Sequence, residues 1–358
     1  MGIGKILKVT ALAACLSLPL HAQGIGEAQN GGIRVAGGAI NLMGYAQTTY
    51  DVTSVGESDN KKVTNGFDVQ RFIMMADAKL SDKLGFWLMY DFAASKFHEY
   101  YAQYSFSPAL KLRVGQFKQP FTLESLMPPF LVSNIGFDES ILYMAGIGGD
   151  PCFGMGRVGR DSGIMLTGDL IDHGAGKLLG YSIGIFNGSG MNLKDNNNQK
   201  DVIGMLNVRP VTGLTISTSF ILGTARAQAP SPYGAFAAGE NYRRNRFSAG
   251  VEYKGSPVYV RSEFMSGWDG GVNSIGAYID IEGRVAKNLD IVAGYDFLDR
   301  NTGLKTDAPS HPASTNNFMV GLQYWVYKQC GIRSEYIHKS PRMGVPVNQW
   351  ITQFQIAF

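Results

Sequence analysis

Beyond its first 22 residues, the 358-residue chain has no run of 18 apolar residues. No helix could therefore span a bilayer. Cysteine is scarce: Cys15 lies in an N-terminal apolar stretch, and Cys152 and Cys330 stand far apart. That leaves no disulfide framework and no metal-ligand spacing, and both later thiols are expected to be free. Histidine is scarce too. Past the N-terminal stretch only His98, His173, His311 and His338 remain, none in a motif beside a nucleophilic serine and an orienting acid. No catalytic residue, cofactor or metal is assigned. An excess of one charge is also missing, with 32 basic against 29 acidic side chains. A near-neutral chain gives no support to a nucleic-acid partner. The segment "FGMGRVG" carries G-x-G-x-x-G at Gly154, Gly156 and Gly159, but a dinucleotide site needs a strand before it and a helix after it. Here the glycines read as a loop with tight turns.

The N-terminus begins with a short basic region, Lys5 and Lys8, followed by the apolar run Val9–Leu20 and the small-residue site Leu20-His21-Ala22. This is a secretory signal pattern, with cleavage expected after Ala22. "LAAC" at Leu12–Cys15 resembles a lipobox, but the apolar run continues past Cys15, against a lipid-modified cysteine. Residues 1–22 are thus expected to be a signal peptide and residues 23–358 one domain.

That domain shows alternation of period 2. Ile40, Leu42, Ala46, Thr48 and Tyr50 oppose Asn41, Tyr45, Gln47, Thr49 and Asp51. Phe72, Met74, Ala76 and Ala78 oppose Arg71, Asp77 and Lys79, and Tyr100, Ala102, Tyr104 and Phe106 oppose Glu99, Gln103 and Ser105. The last ten residues, "QWITQFQIAF", put Trp350, Thr352, Phe354, Ile356 and Phe358 on one face and Ile351, Gln353, Gln355 and Ala357 on the other. An apolar face suits lipid and a charged face suits water. In an open sheet such a terminal strand would be an aggregating edge, whereas in a closed barrel it pairs with the first strand. About sixteen such segments are expected, a porin-sized number.

The connections agree. Short turns near 81, 108, 211, 255, 287 and 328 alternate with longer loops near 120–161, 188–200, 225–245, 299–316 and 339–347. "TSVGESDNKKVTNG", residues 53–66, reads as a further long loop, while those near 95 and 270 read as short. The fold class is all-β: a transmembrane antiparallel barrel of about 16 strands, with Phe358 facing lipid at the periplasmic rim.

"LRVGQFKQPFTLESL" (Leu112–Leu126), with "VGRDSGIMLTGDL" (Val158–Leu170), "YSIGIFNGSG" (Tyr181–Gly190) and "IVAGYDFLDRN" (Ile291–Asn301), resembles the phosphate-selective porin O and P family. The resemblance implies an outer-membrane barrel, usually a homotrimer, passing small solutes and often anions. It also implies that the loop Pro120–Asp161 folds into the pore as a constriction.

A phosphate pore needs a ladder of cations, because a narrow lumen focuses the field. The candidate pore residues are Lys118, Arg157, Arg160, Arg71, Arg113 and Arg261. Strand parity, however, places at least as many acids on the lumen side, among them Asp91, Glu99, Glu263, Asp280, Glu282, Asp296 and Glu335. Some family members carry an arginine near Gly294, and this chain does not. A mixed lumen fits a general diffusion pore for small hydrophilic solutes, with phosphate-like anions as one class. The alternative is a non-conducting surface barrel with an adhesive or structural role.

Arg157 and Arg160 could steer anions, or pair with Asp150 and Asp161 to hold the loop. Arg243, Arg244 and Arg246 read as a solvated run or a contact for lipopolysaccharide headgroups. Tyr143, Trp268 and Trp350 read as interfacial girdle residues, and Trp87 and Trp325 carry the lumen parity.

Overall fold

The computed structural model describes residues 33–56, 61–150, 152–153, 159–173, 176–304 and 313–358. The signal peptide, Cys15, Gly154, Gly156, Arg157 and His311 lie outside the described residues. A three-residue strand, β1 (Ile33–Val35), precedes sixteen longer ones. The first eight of these are β2 (Ile40–Val55), β3 (Lys62–Lys79), β4 (Leu84–Asp91), β5 (Lys96–Ser107), β6 (Leu110–Lys118), β7 (Arg160–His173), β8 (Gly176–Phe186) and β9 (Asp201–Val208). The remaining eight are β10 (Leu214–Arg226), β11 (Asn241–Lys254), β12 (Val258–Asp269), β13 (Val272–Ala286), β14 (Leu289–Asp299), β15 (Ser314–Tyr327), β16 (Cys330–Pro341) and β17 (Val347–Ala357).

Each of β2–β17 pairs antiparallel with its sequence neighbours, and β17 pairs with β2 from Val347↔Val55 to Ala357↔Tyr45. The sheet is therefore a closed sixteen-stranded antiparallel barrel, and the terminal strand has no free edge. Beyond it, the amide of Phe358 donates to the Gly44 carbonyl and the Gly44 amide donates to that of Phe358, both at 2.9 Å. The start of β2, which outruns β17, is paired by β1 through Ile33↔Leu42 and Val35↔Ile40.

The expected faces are found. Along β17, Trp350, Phe354 and Ile356 are 53%, 47% and 61% exposed, whereas Gln353 and Gln355 are 0% and 1% exposed. Because the side-chain period is two, one uncorrected slip would invert a strand. On β3 a bulge does the correcting: register skips between Gln47↔Arg71 and Thr48↔Val69. Gln70 and Arg71 therefore both turn inward, where Gln70 accepts from Gln353 Nε2 at 2.7 Å and Arg71 donates to Gln47 at 2.9 Å. Trp87 and Trp325 point inward as their parity predicted. Trp87 packs against the interior clusters and Trp325 Nε1 donates to Asp290 at 2.8 Å.

One connection differs from expectation. Residues 53–66 are mostly strand, since β2 and β3 continue pairing through Thr53↔Thr64 to Val55↔Lys62. Their polar composition reflects strand ends that stand clear of the apolar belt. Cys152 and Cys330 are free, one beside the long-loop end and one at the short-turn end of the barrel.

On the outer face the Phe358 ring lies over Gly44, where an added Cβ would stand 2.6 Å from its Cζ. Phe358→Ala removes this half-exposed ring but keeps the backbone bonds. It is expected to cost about 1–2 kcal/mol. Deleting Phe358 also removes both hydrogen bonds and is expected to cost about 1–2 kcal/mol more. Urea unfolding of the refolded barrel measures both, and equal midpoints for wild type and deletion would show that the terminus contributes nothing to closure.

Candidate functional site: the inserted loop and the lumen wall

β6 ends at Lys118, and the chain then turns into the barrel before β7 resumes at Arg160. Pro120, Pro128 and Pro129 cannot donate to a ladder, so the strand stops here. The segment holds two short helices, α1 (Leu123–Leu126) and α2 (Glu139–Met144), with a 3₁₀ turn at Pro129–Leu131 between them. Thr122 caps α1 by accepting from the Ser125 amide at 3.3 Å. So long a segment has many backbone groups needing partners, and the wall supplies them.

The partners are largely the acids of the lumen face. Glu263 on β12 accepts from the amides of Leu123 at 2.7 Å and Glu124 at 3.0 Å. Asp296 on β14 accepts from the amides of Glu139 and Ser140 at 3.1 and 3.2 Å. Glu335 on β16 accepts from the Ile135 amide at 2.9 Å, and Glu282 on β13 from the Ser133 hydroxyl at 3.1 Å. Carbonyls of the same stretch are met by bases: Arg333 Nη2 donates to Val132 and Ser133, both at 2.6 Å. Space is also prepared for the loop, since a Cβ on Gly276 of β13 would stand 2.8 Å from Ser140 Cβ. Of the acids that made the lumen look mixed, Glu263, Asp280, Glu282, Asp296 and Glu335 are thus spent on holding the loop to β12–β16, whereas Asp91 and Glu99 are not.

Arg261 belongs to this docking and not to the pore. It is fully buried; Nη2 bonds Asp280 at 2.9 Å and Glu124 at 3.0 Å, and Nε donates to the Tyr278 hydroxyl at 3.0 Å. Strand parity put it correctly inside the barrel but could not show that the loop would cover it. Arg244 and Arg246 are also buried, which corrects the reading of a solvated or lipopolysaccharide-binding run. Arg244 pairs with Asp150 at 2.7 Å and Arg246 with Asp269 at 2.5 Å, and only Arg243 of the three is exposed. Tyr143 is not a girdle residue either: it lies on α2, buried, with its hydroxyl donating to Asp269 at 3.4 Å.

Across the lumen the candidate cations are arranged differently. Lys118 stands directly opposite Arg160 in the β6–β7 register. Lys118 Nζ donates to the Met127 carbonyl at 2.7 Å. Arg113 donates to Gln103 at 3.1 and 2.9 Å and lies 4.2 Å over the Tyr101 ring. Arg113 and Lys118 line one small hollow, with Pro120, Thr167, Tyr181, Ser182 and Asn207 among its other walls. Arg160 pairs with Glu99 at 2.9 Å, not with Asp150 or Asp161. Asp161 instead accepts from the Gly188 amide at 2.6 Å. Among the described residues, neither Lys118 nor Arg71 forms an ion pair with a carboxylate.

The lumen is not uniformly polar. Phe117, Phe186, Ile203, Ile221, Met265 and Leu298 point inward at the long-loop end and pack on Phe121, Ile141 and Met144 of the inserted segment. Alternation gave no sign of this cluster, because these residues interrupt polar faces singly. In the loop, outside the strands, burial pushes the Glu124 carboxyl up to about 7, with Arg261 pulling the other way. Burial also raises Asp138 well above the carboxylate range, and Asp280 and Glu124 add like charge.

Residues 43–129 match the family model described as phosphate-selective porin O and P. The resemblance carried by Leu112–Leu126 falls largely inside this match. No curated protein matches the chain. Among solved structures, the chain is similar to the anion-selective porin from Comamonas acidovorans, at 13% identity and TM-score 0.65, covering 89% of this chain and 99% of that one. It is also similar to the outer membrane protein OmpT of Vibrio cholerae in its trimer form, at 11% identity, TM-score 0.60, 89% and 100% coverage. A third is the outer membrane channel DcaP of Acinetobacter baumannii, at 12% identity, TM-score 0.58, 91% and 99% coverage. At these identities the likeness is one of fold: all are barrels of the same architecture and extent.

Proposed function

We propose that this chain is a porin of the outer membrane, admitting small hydrophilic solutes by passive diffusion and preferring anions. The observation that carries the reading is the division of the lumen. The loop engages the carboxylates of β12–β16, while Lys118, Arg71, Arg113 and Arg160 stand on β3, β6 and β7, two of them without a carboxylate partner among the described residues. A narrow aqueous passage beside such a wall lowers the energy of anions and raises that of cations. Phosphate-like anions fit this as one class among several, since Lys118 and Arg71 are few for a dedicated ladder. Export by the N-terminal signal, short turns facing the periplasm, contact with lipid and lipopolysaccharide, and assembly as a homotrimer belong to the same reading.

The test is the refolded protein in a planar bilayer under a KCl gradient. Stepwise conductance is expected, with a reversal potential of the sign for chloride over potassium. A cation-selective potential would refute the assigned wall. Absence of conductance would refute the pore and leave the second reading, a non-conducting barrel for adhesion or structure, which draws on the apolar cluster around Phe117 and Phe186. An enzymatic role finds no support: His98 Nε2 lies 3.6 Å from Asp91, and its Nδ1 is buried without a partner. At His98, therefore, no relay to a serine is formed.

A further inference from the structure

Three carboxylates meet where the inserted loop touches the wall. Glu124 of α1, Asp138 just before α2, and Asp280 of β13 each offer an oxygen, and these oxygens lie within 4.8 Å of one another. Among the described residues one cation touches them, Arg261, and it takes Glu124 Oε2 and Asp280 Oδ2. The other oxygens, Glu124 Oε1 and Asp280 Oδ1, turn toward Asp138 and Asn134. Asp138 has no cation of its own, and its Oδ2 is buried without a donor. Three carboxyl groups thus share one cation in contact, Arg261.

A second feature points into the same pocket. Asn134 is only 6% exposed, and its amide nitrogen lies 3.0 Å from Asp280 Oδ1 and 3.3 Å from Asp138 Oδ1. Its carbonyl oxygen is buried and has no partner. A half-turn of this amide exchanges nitrogen for oxygen at the carboxylates. The donor set is then oxygen throughout, with no thiolate or imidazole. Such a set selects hard divalent cations, and irregular geometry with several carboxylates suits calcium better than magnesium.

We propose that Glu124, Asp138, Asp280 and Asn134 bind one calcium ion, which clips the inserted loop to the barrel wall. Three of the four ligands come from the loop, Glu124 before the 3₁₀ turn and Asn134 and Asp138 after it, and Asp280 comes from the strand behind, so the ion joins segments that are far apart in sequence. Nothing in the linear sequence announces such a site, because its ligands follow no metal-binding spacing.

The test uses the full mature chain refolded from denaturant in detergent, so that no lipopolysaccharide carries calcium into the sample. After stripping with a chelator it is titrated calorimetrically with calcium chloride alone. One ion per chain is expected, with a dissociation constant of roughly 10⁻⁵–10⁻³ M. Asp138→Asn is expected to weaken binding at least about tenfold. Asn134→Ala, which removes a neutral group and spares the charges, is expected to weaken it less. A heat-dependent gel shift verifies that both variants are folded barrels. Magnesium at the same concentration is expected not to compete. The proposal is overturned if stripped wild type shows no saturable binding, or if both variants bind like wild type. It is equally overturned if wild type binds nothing while Asp138→Asn is the more heat-stable barrel, since a shared proton would then be what balances the carboxylates.

Discussion

Replacing Arg261 with alanine is expected to undock the inserted loop. The guanidinium is fully buried and bonds Glu124, Asp280 and the Tyr278 hydroxyl at once. Its removal leaves Glu124 and Asp280 facing each other without the guanidinium that bridges them. Truncating one partner of a buried pair typically costs about 3–5 kcal/mol, because the remaining charge stays desolvated. The loop amides that depend on this dock, Leu123 and Glu124 on Glu263, would then open more often. At about 1.4 kcal/mol per factor of ten, their hydrogen exchange is expected to quicken by roughly a hundredfold or more. Arg261→Lys would not rescue, since an ammonium cannot present the planar fork that serves three acceptors. The double change Arg261→Met with Glu124→Gln is expected to recover part of the loss by removing two charges together. Unchanged exchange at Leu123 in the alanine variant would mean that the loop is held elsewhere.

Reversing charge on the opposite wall is expected to invert ion selectivity. Lys118 lines the lumen hollow with Arg113, and it donates to a neutral carbonyl, that of Met127. A unit charge about 4 Å from an ion in water is worth about 1 kcal/mol, so Lys118→Glu shifts each passing ion by about 2 kcal/mol, in opposite senses for anion and cation. The new carboxylate would also stand opposite Arg160 in the β6–β7 register and draw on its charge. The ratio of chloride to potassium permeability is therefore expected to fall by more than about tenfold. The sign of the reversal potential in a KCl gradient would change. Lys118→Met should fall between wild type and Lys118→Glu. If all three proteins give the same potential, the solute path does not pass this wall. Both side chains reach Met127, so the effects of the two variants are expected to be coupled.

Much of the barrel was legible without coordinates. Alternation of period 2 is a direct consequence of strand geometry between two solvents, so each strand declared its own lipid and water faces. Phe354 and Gln353 needed no partner to be assigned. The long segment after Lys118, broken by prolines, stood out from the short turns, and the family resemblance gave it a place inside the pore. Residues 53–66 were misread because polar side chains at strand ends look like a loop when the pairing Thr53↔Thr64 is unknown.

What the linear sequence determined by itself was therefore the class of fold, the number of strands and the side of the wall on which Arg71, Arg113, Lys118 and Arg261 stand. It also determined their total charge, which looked balanced. Only the tertiary structure decided which of those charges are available. Glu263, Asp296 and Glu335 hold loop amides, Arg261 is enclosed by the carboxylates it neutralises, and Lys118 donates to a backbone carbonyl and not to a carboxylate. The physical reason is that parity depends on a residue's immediate neighbours, while compensation depends on distances across the lumen. Those distances were set only when the loop between Lys118 and Arg160 took its place against the carboxylates of β12–β16.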